Sequence, residues 1–302
     1  MDIHHLAYHH VDVFSARPFT GNSLTIFPES HTLSKEQMLR ITQEMRHFES
    51  IFLFPMRYAS SVRARVFDLH EELDFAGHPL LGAASVLHAL HGTSGTQTWS
   101  FELNQKTVQV TTEQEKGHYR AILNQGRPEF FDAVEQKHAG ELLSALNLLP
   151  DDLFAHLPLE VASTGLRYLI VPIKRGLERA RIIHPAFETL LEKYGAQFVY
   201  VLDIPTLEGR HWNNDGLLED VATGSAAGTV GAYLVKHAHI QPGQEFLLQQ
   251  GRFTGRPSYM RIQVEGQPHA IESVLVGGDV SLVGAGTLRV LPDEPSSVSL
   301  QL

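Results

Sequence analysis

The chain has 302 residues, 43% hydrophobic and 19% charged, and a formal net charge of −10. Such a composition supports a large buried core in one or two domains and excludes wholesale disorder; an acidic balance with no basic cluster argues against nucleic acid as a partner. Cysteine is absent, which removes disulfides, thiolate metal sites and cysteine nucleophiles and suits a reducing compartment.

The N-terminal Met1-Asp2-Ile3-His4-His5 lacks the charged and then apolar pattern of a signal peptide. No window has the apolar length of a membrane span, so the expected setting is cytoplasmic, with no membrane partner. His4, His5, His9 and His10 fall before and within a strand pattern. A helical zinc site would instead space two histidines four apart beside an acid, so these are read as surface or edge histidines.

Taken in order, residues 11–14 and 24–27 read as strands around a loop at 17–22, with Gly21-Asn22 as its turn. Asn22 could also aim its amide at a ligand. Residues 33–48 read as a helix: Ser34 and Gln37 form a capping box, Leu33 and Met38 a staple, and Met38, Ile41, Met45 and Phe48 one face. Residues 51–54 form a buried strand ended by Pro55. Glu49 therefore stands between a helix and an apolar strand, where a carboxylate is costly unless paired or facing a polar cleft.

Residues 62–67 alternate as a half-exposed strand, and residues 79–90 form a helix apolar almost all round, hence buried. Strands follow at 98–101, 107–111 and 119–123. The composition changes at Gln125-Gly126-Arg127-Pro128, giving halves 1–126 and 127–302, the last residues being able to return to the first half. In the second half, helices are expected at 139–146, 187–194 and 225–237. Strands are expected at 168–172, 198–202, 246–250 and 259–264. Residues 274–278 and 280–283 read as a final hairpin, and the Ser- and Pro-rich tail after Pro292 as frayed. The resulting class is α/β, each half a set of short strands wrapped around one buried helix; no G-x-G-x-x-G follows a strand.

Two stretches share one design. In Asp74-Phe75-Ala76-Gly77-His78 and Asp220-Val221-Ala222-Thr223-Gly224-Ser225 an acidic residue precedes a small residue, then Gly plus a polar residue opens a helix, and the glycines lie 147 positions apart (224 − 77). That points to a duplicated half with two helix N-termini whose N–H groups attract carboxylates. Tight packing alone also calls for glycine before a small-residue helix. His78 and Ser225 could simply cap their helices, and Asp220 could only brace its turn. If the halves face one cleft, Glu49, His78, Asp220 and Ser225 share it, and a carboxylate base beside hydrogen-bond donors suits proton transfer.

The series Val11-Asp12-Val13-Phe14, Gly21-Asn22, Glu49-Ser50, Glu72-Leu73-Asp74-Phe75-Ala76-Gly77-His78, Ser163-Thr164-Gly165, Glu219 to Ala226, Gln250-Gly251, Gly255-Arg256-Pro257-Ser258 and Val276-Gly277-Gly278 resembles the PhzF-like family of phenazine-biosynthesis isomerases, of diaminopimelate-epimerase-like fold. The resemblance implies two pseudo-symmetric halves, each a curled mixed sheet around a central helix. It implies an active site between them, commonly a homodimer, and isomerisation of a small carboxylate-bearing substrate without metal or organic cofactor. It makes Glu49 the general acid/base, with His78 and Asp220 catalytic and Asn22, Gly77, Gly224 and Ser225 binding substrate. The sequence departs from the family pattern at Ser23, at Phe67-Asp68-Leu69 and at Trp212-Asn213-Asn214, near the implied pocket. Other readings of the same residues are a two-base epimerase using Glu49 and Asp220, a serine hydrolase using Ser225, His78 and Asp220, and a non-catalytic small-anion binder.

Overall fold

The structure, a computed structural model, describes residues 5–56, 61–92 and 94–293. It divides into two compact units, Met1–Leu123 with Gly278–Leu302, and Asn124–Gly277.

In the first unit β1 (Leu6–Val13) pairs antiparallel with β2 (Asn22–Phe27). After α1 (Lys35–Met45), β3 (Glu49–Pro55) lies parallel to β2 and β4 (Ser61–Asp68) antiparallel to β3. The short β5 (Glu72–Leu73) leads from β4 to α2 (Gly77–His91). Then β6 (Thr96–Glu102), β7 (Thr107–Glu115) and β8 (His118–Asn124) extend the sheet.

In the second unit β9 (Glu129–Ala133), α3 (Gln136–Ala145), β10 (Glu160–Ser163), β11 (Arg167–Ile173), α4 (Phe187–Glu192), β12 (Phe198–Asp203), β13 (Glu208–Arg210), α5 (Gly224–Lys236), β14 (Phe246–Gln250) and β15 (Ser258–Gln267) follow. The pairings mix directions: β11 with β12 and β13 with β14 are parallel, the rest antiparallel. Finally β16 (Ala270–Leu288) pairs with β15 in the second unit and with β1 in the first.

The final hairpin expected at 274–283 does not form. Gly277 is paired opposite Arg261 and Val280 opposite Val13, and neither Gly277 nor Gly278 takes a positive φ. A strand with partners at both ends is held extended through the glycine pair. The tail beyond Asp293 lies outside the described residues.

The fold around a buried helix is as the apolar pattern requires. Every α2 residue from Gly77 to His88 is buried, and so are all α5 residues from Gly224 to Val235 except Ser225. Burying a Leu or Val side chain contributes about 1.5–3 kcal/mol, so each helix acts as the core of its unit. Small residues set the close approach. A Cβ on Gly82 would come within 2.6 Å of the Leu24 side chain, and one on Gly231 within 2.4 Å of Ile262. His88, deep in α2, is a satisfied core histidine, its Nδ1 2.9 Å from the Thr112 hydroxyl.

α1 forms as its capping box dictates: the Ser34 hydroxyl accepts from Gln37 N at 3.2 Å, and the Gln37 side chain accepts from Ser34 N at 3.0 Å. It stops at Met45, three residues short of the expected end. Arg46 turns left-handed (φ 61°), because Glu49 and Ser50 are drawn into pairing with Asp68 and Phe67 on β4.

Candidate active site

Glu49 opens β3 and Asn22 opens β2; because these strands are parallel, both residues stand at one end of the first unit's sheet. The first turn of α2 reaches the same end, where His78 Nδ1 lies 3.4 Å from Glu49 Oε2. The Glu49 side chain is 19% exposed and that of His78 8%. A carboxylate with so little exposure calls for a compensating neighbour, and the His78 imidazole stands beside it. The cap residue Ala76 has no side-chain hydrogen bond to offer, so the first-turn N–H groups, Gly77 included, rely on other acceptors. His78 does not cap its helix. Asn22 is 1% exposed.

In the second unit the glycine turn is braced from several sides. The Asp220 carboxylate accepts from the Thr223 hydroxyl at 2.6 Å and from Ala222 N at 3.3 Å. Gln250 donates to Asp220 O at 2.9 Å and accepts from Thr223 N at 3.2 Å and from the Tyr200 hydroxyl at 3.0 Å. Burial pushes the Tyr200 phenol well above its ordinary value, which keeps it a donor. Ser225 does not cap α5 either: its hydroxyl lies 2.7 Å from that of Tyr168. Gly224 gives its carbonyl to the Gln125 side chain at 2.9 Å.

His211 lies beneath this turn, fully buried against Tyr168 and Phe198. Its Nδ1 is 2.9 Å from Val199 O, and a carbonyl only accepts, so Nδ1 carries a proton. Desolvation holds the imidazole pKa below its ordinary value, opposed by the Asp220 charge and the Val199 carbonyl. Arg210 fixes the strand beside it, donating to both Glu219 oxygens (2.9 and 2.5 Å) and to the carbonyls of Leu177 and Ala180.

The structure thus brings Glu49 to His78 within one unit, and Asp220 to the helix start at Gly224 and Ser225 within the other. Ser225 meets a tyrosine and His78 a glutamate. Sequence reasoning missed Tyr168, Gln125, Gln250 and His211 as parts of the site. Nothing local marks them, since Tyr168 is 57 and Gln125 99 positions from its partner. Among the described residues no group of three or more His, Asp or Glu side chains is arranged to hold a metal ion. No described helix is long and apolar enough to cross a membrane.

The family profile of the phenazine biosynthesis-like proteins matches residues 11–286. The chain is 31% identical over 298 residues to the trans-2,3-dihydro-3-hydroxyanthranilate isomerase of Pseudomonas chlororaphis, covering 95% of this chain and 99% of that one. It is also 31% identical to an uncharacterised isomerase of Escherichia coli, over 89% of this chain and 94% of the other. Among solved structures, a protein described as a predicted epimerase from Pseudomonas aeruginosa superposes with a TM-score of 0.88 at 44% identity, covering 94% of this chain and 99% of that one. A hydroxyproline epimerase from Agrobacterium vitis shares the fold alone, with a TM-score of 0.65 at 13% identity over 96% and 94% of the two chains.

Fold and relatives together define an isomerase of the epimerase-like α/β class. Within that class the chain belongs to the phenazine biosynthesis-like protein family.

Proposed function

We propose that the protein moves a proton on a small carboxylate-bearing substrate, without a cofactor, using Glu49 as general acid/base. The observation carrying this is the Glu49–His78 pair, 3.4 Å apart and largely dry, at the start of a buried helix. A carboxylate in that setting can take a proton from a substrate carbon while the C–H electron pair moves into an adjacent π system. Protonated Glu49 then returns the proton at a second carbon, leaving enzyme and proton count unchanged. His78 orients the carboxylate. In the first unit the Gly77 N–H group and Asn22 are assigned to the substrate's carboxylate and to the charge developing in the transition state; in the second, the Gly224 N–H group and the Ser225 hydroxyl offer a second anion-binding helix start.

The curated relative acts, by its name, on trans-2,3-dihydro-3-hydroxyanthranilate, which makes that compound the first substrate to offer. A single base is favoured over two: Asp220 receives two hydrogen bonds within its own turn, the arrangement of a brace more than of a free proton acceptor. The test is turnover in deuterated water followed by proton NMR. The native chain is expected to isomerise the compound with partial retention of the transferred proton, and Glu49→Gln to fold but lose turnover. Full turnover by Glu49→Gln defeats the proposal; complete exchange with solvent points to two bases.

A further inference from the structure

The loop joining β1 to β2 holds two phenylalanines in the left-handed backbone region, Phe14 at φ 66° and Phe19 at φ 67°. A side chain with a Cβ is strained there, and such strain persists only where the surroundings impose it. Phe14 is 0% exposed, so burial of its ring offsets the strain. Phe19 has the same backbone and the same ring, yet is 75% exposed, so burial of its ring offsets none of the strain.

The loop nevertheless enforces the conformation. Phe19 N donates to the carboxylate of Asp12 at 2.6 Å, and Asp12 itself is 1% exposed. The hydroxyls of Ser15 and Thr20 lie 2.5 Å apart, Thr20 donates to Arg17 O at 2.7 Å, and Arg17 N donates to Ser15 at 3.1 Å. Gly21 (φ 74°) closes the loop where a Cβ would stand 2.5 Å from Val13 O. The loop leaves the last residue of β1 and enters β2 at Asn22, so it lies at the end of the sheet where Asn22 and Glu49 open their parallel strands, with His78 of α2 beside Glu49.

We propose that Phe19 is a specificity-determining residue: a rigidly presented ring that stacks on the planar ring or diene of the substrate whose proton Glu49 moves. This rests on the reading of Glu49 given above. A pre-positioned aromatic face selects flat, unsaturated carboxylates over saturated ones of equal size.

The test uses the full chain, with anthranilate as the planar probe and cyclohexanecarboxylate as its saturated counterpart, both measured by calorimetry. Phe19→Ala is expected to weaken anthranilate roughly tenfold and cyclohexanecarboxylate hardly at all, and Phe19→Tyr to restore the preference. Phe19→Gly is expected to hold or raise Tm, because glycine relieves the left-handed strain. The inference is overturned if anthranilate fails to bind the native chain or if both probes weaken equally. It is overturned too if Phe19→Gly lowers Tm, or if Phe19→Ala changes the oligomeric state, which would assign the ring to a contact between copies. Glu49→Gln keeps the two readings apart. It should bind anthranilate as the native chain does while losing turnover, so retained turnover sinks the proton-transfer reading, whereas lost ring selectivity is measured on binding alone.

Discussion

α2 and α5 begin alike and are furnished differently. Both open on glycine, both lack a side-chain cap, and both are buried almost end to end. At α2 the polar neighbours are a glutamate and a histidine, side by side. At α5 Asp220, Thr223, Gln250 and Tyr200 are joined by hydrogen bonds, while Tyr168 meets the Ser225 hydroxyl and Gln125 the Gly224 carbonyl. α1 is the control: its first turn is closed by Ser34 and Gln37. A helix that only needs to fold satisfies its first N–H groups with its own side chains. At the two that lack such a side-chain cap the nearby acids differ: Glu49 stands beside His78 at α2, and Asp220 is held within its own turn at α5.

Breaking the two starts separately tests that division. Glu49→Gln should cost about 10²- to 10⁴-fold in kcat with little change in Tm. Ser225→Ala removes one hydrogen-bonding hydroxyl and should weaken carboxylate binding only about 3- to 10-fold, with kcat less affected. Effects of equal size from the two would erase the distinction. Gly82→Ala and Gly231→Ala each drive a methyl group into a facing side chain, so each should lower stability by about 1–3 kcal/mol in denaturant unfolding. A matched pair of values would show that the two helices pack equivalently even though their starts differ. Ser34→Ala, at the capped helix, should cost about 1 kcal/mol and leave turnover intact.

The acid limbs of the two units should also differ. In the first unit Arg65 binds Glu72 through two hydrogen bonds and holds its carboxyl down from 4.5 to about 2. Its contribution is complete above 4.5 and is lost as pH falls through about 2. In the second, His211 is buried with its pKa lowered from 6.5. Its contribution is complete above 6.5 and declines as pH drops below that value, since the unfolded chain takes up the proton first. Amide exchange measured from pH 7 to 3 should therefore show the segments around β12 and β13 loosening at a higher pH than those around β4 and β5. His211→Gln should remove that early loss.

Much of this was written in local pattern. The Ser34–Gln37 box fixed where α1 starts, the all-round apolar run of α2 announced a buried helix, and the paired glycine turns pointed to a repeated design. Such features depend on neighbours within a turn or two of the chain, so the sequence determines them unaided. Partners chosen by strand register were not written there. That α1 yields at Arg46 to let Glu49 pair with Asp68, that Glu49 then meets His78, that β16 runs straight through Gly277 and Gly278, and that Tyr168 reaches Ser225 all followed from which distant strands lie side by side. Only the closing of each sheet on its helix decides those, because a register is set by the summed packing of the whole sheet and by no single residue in it.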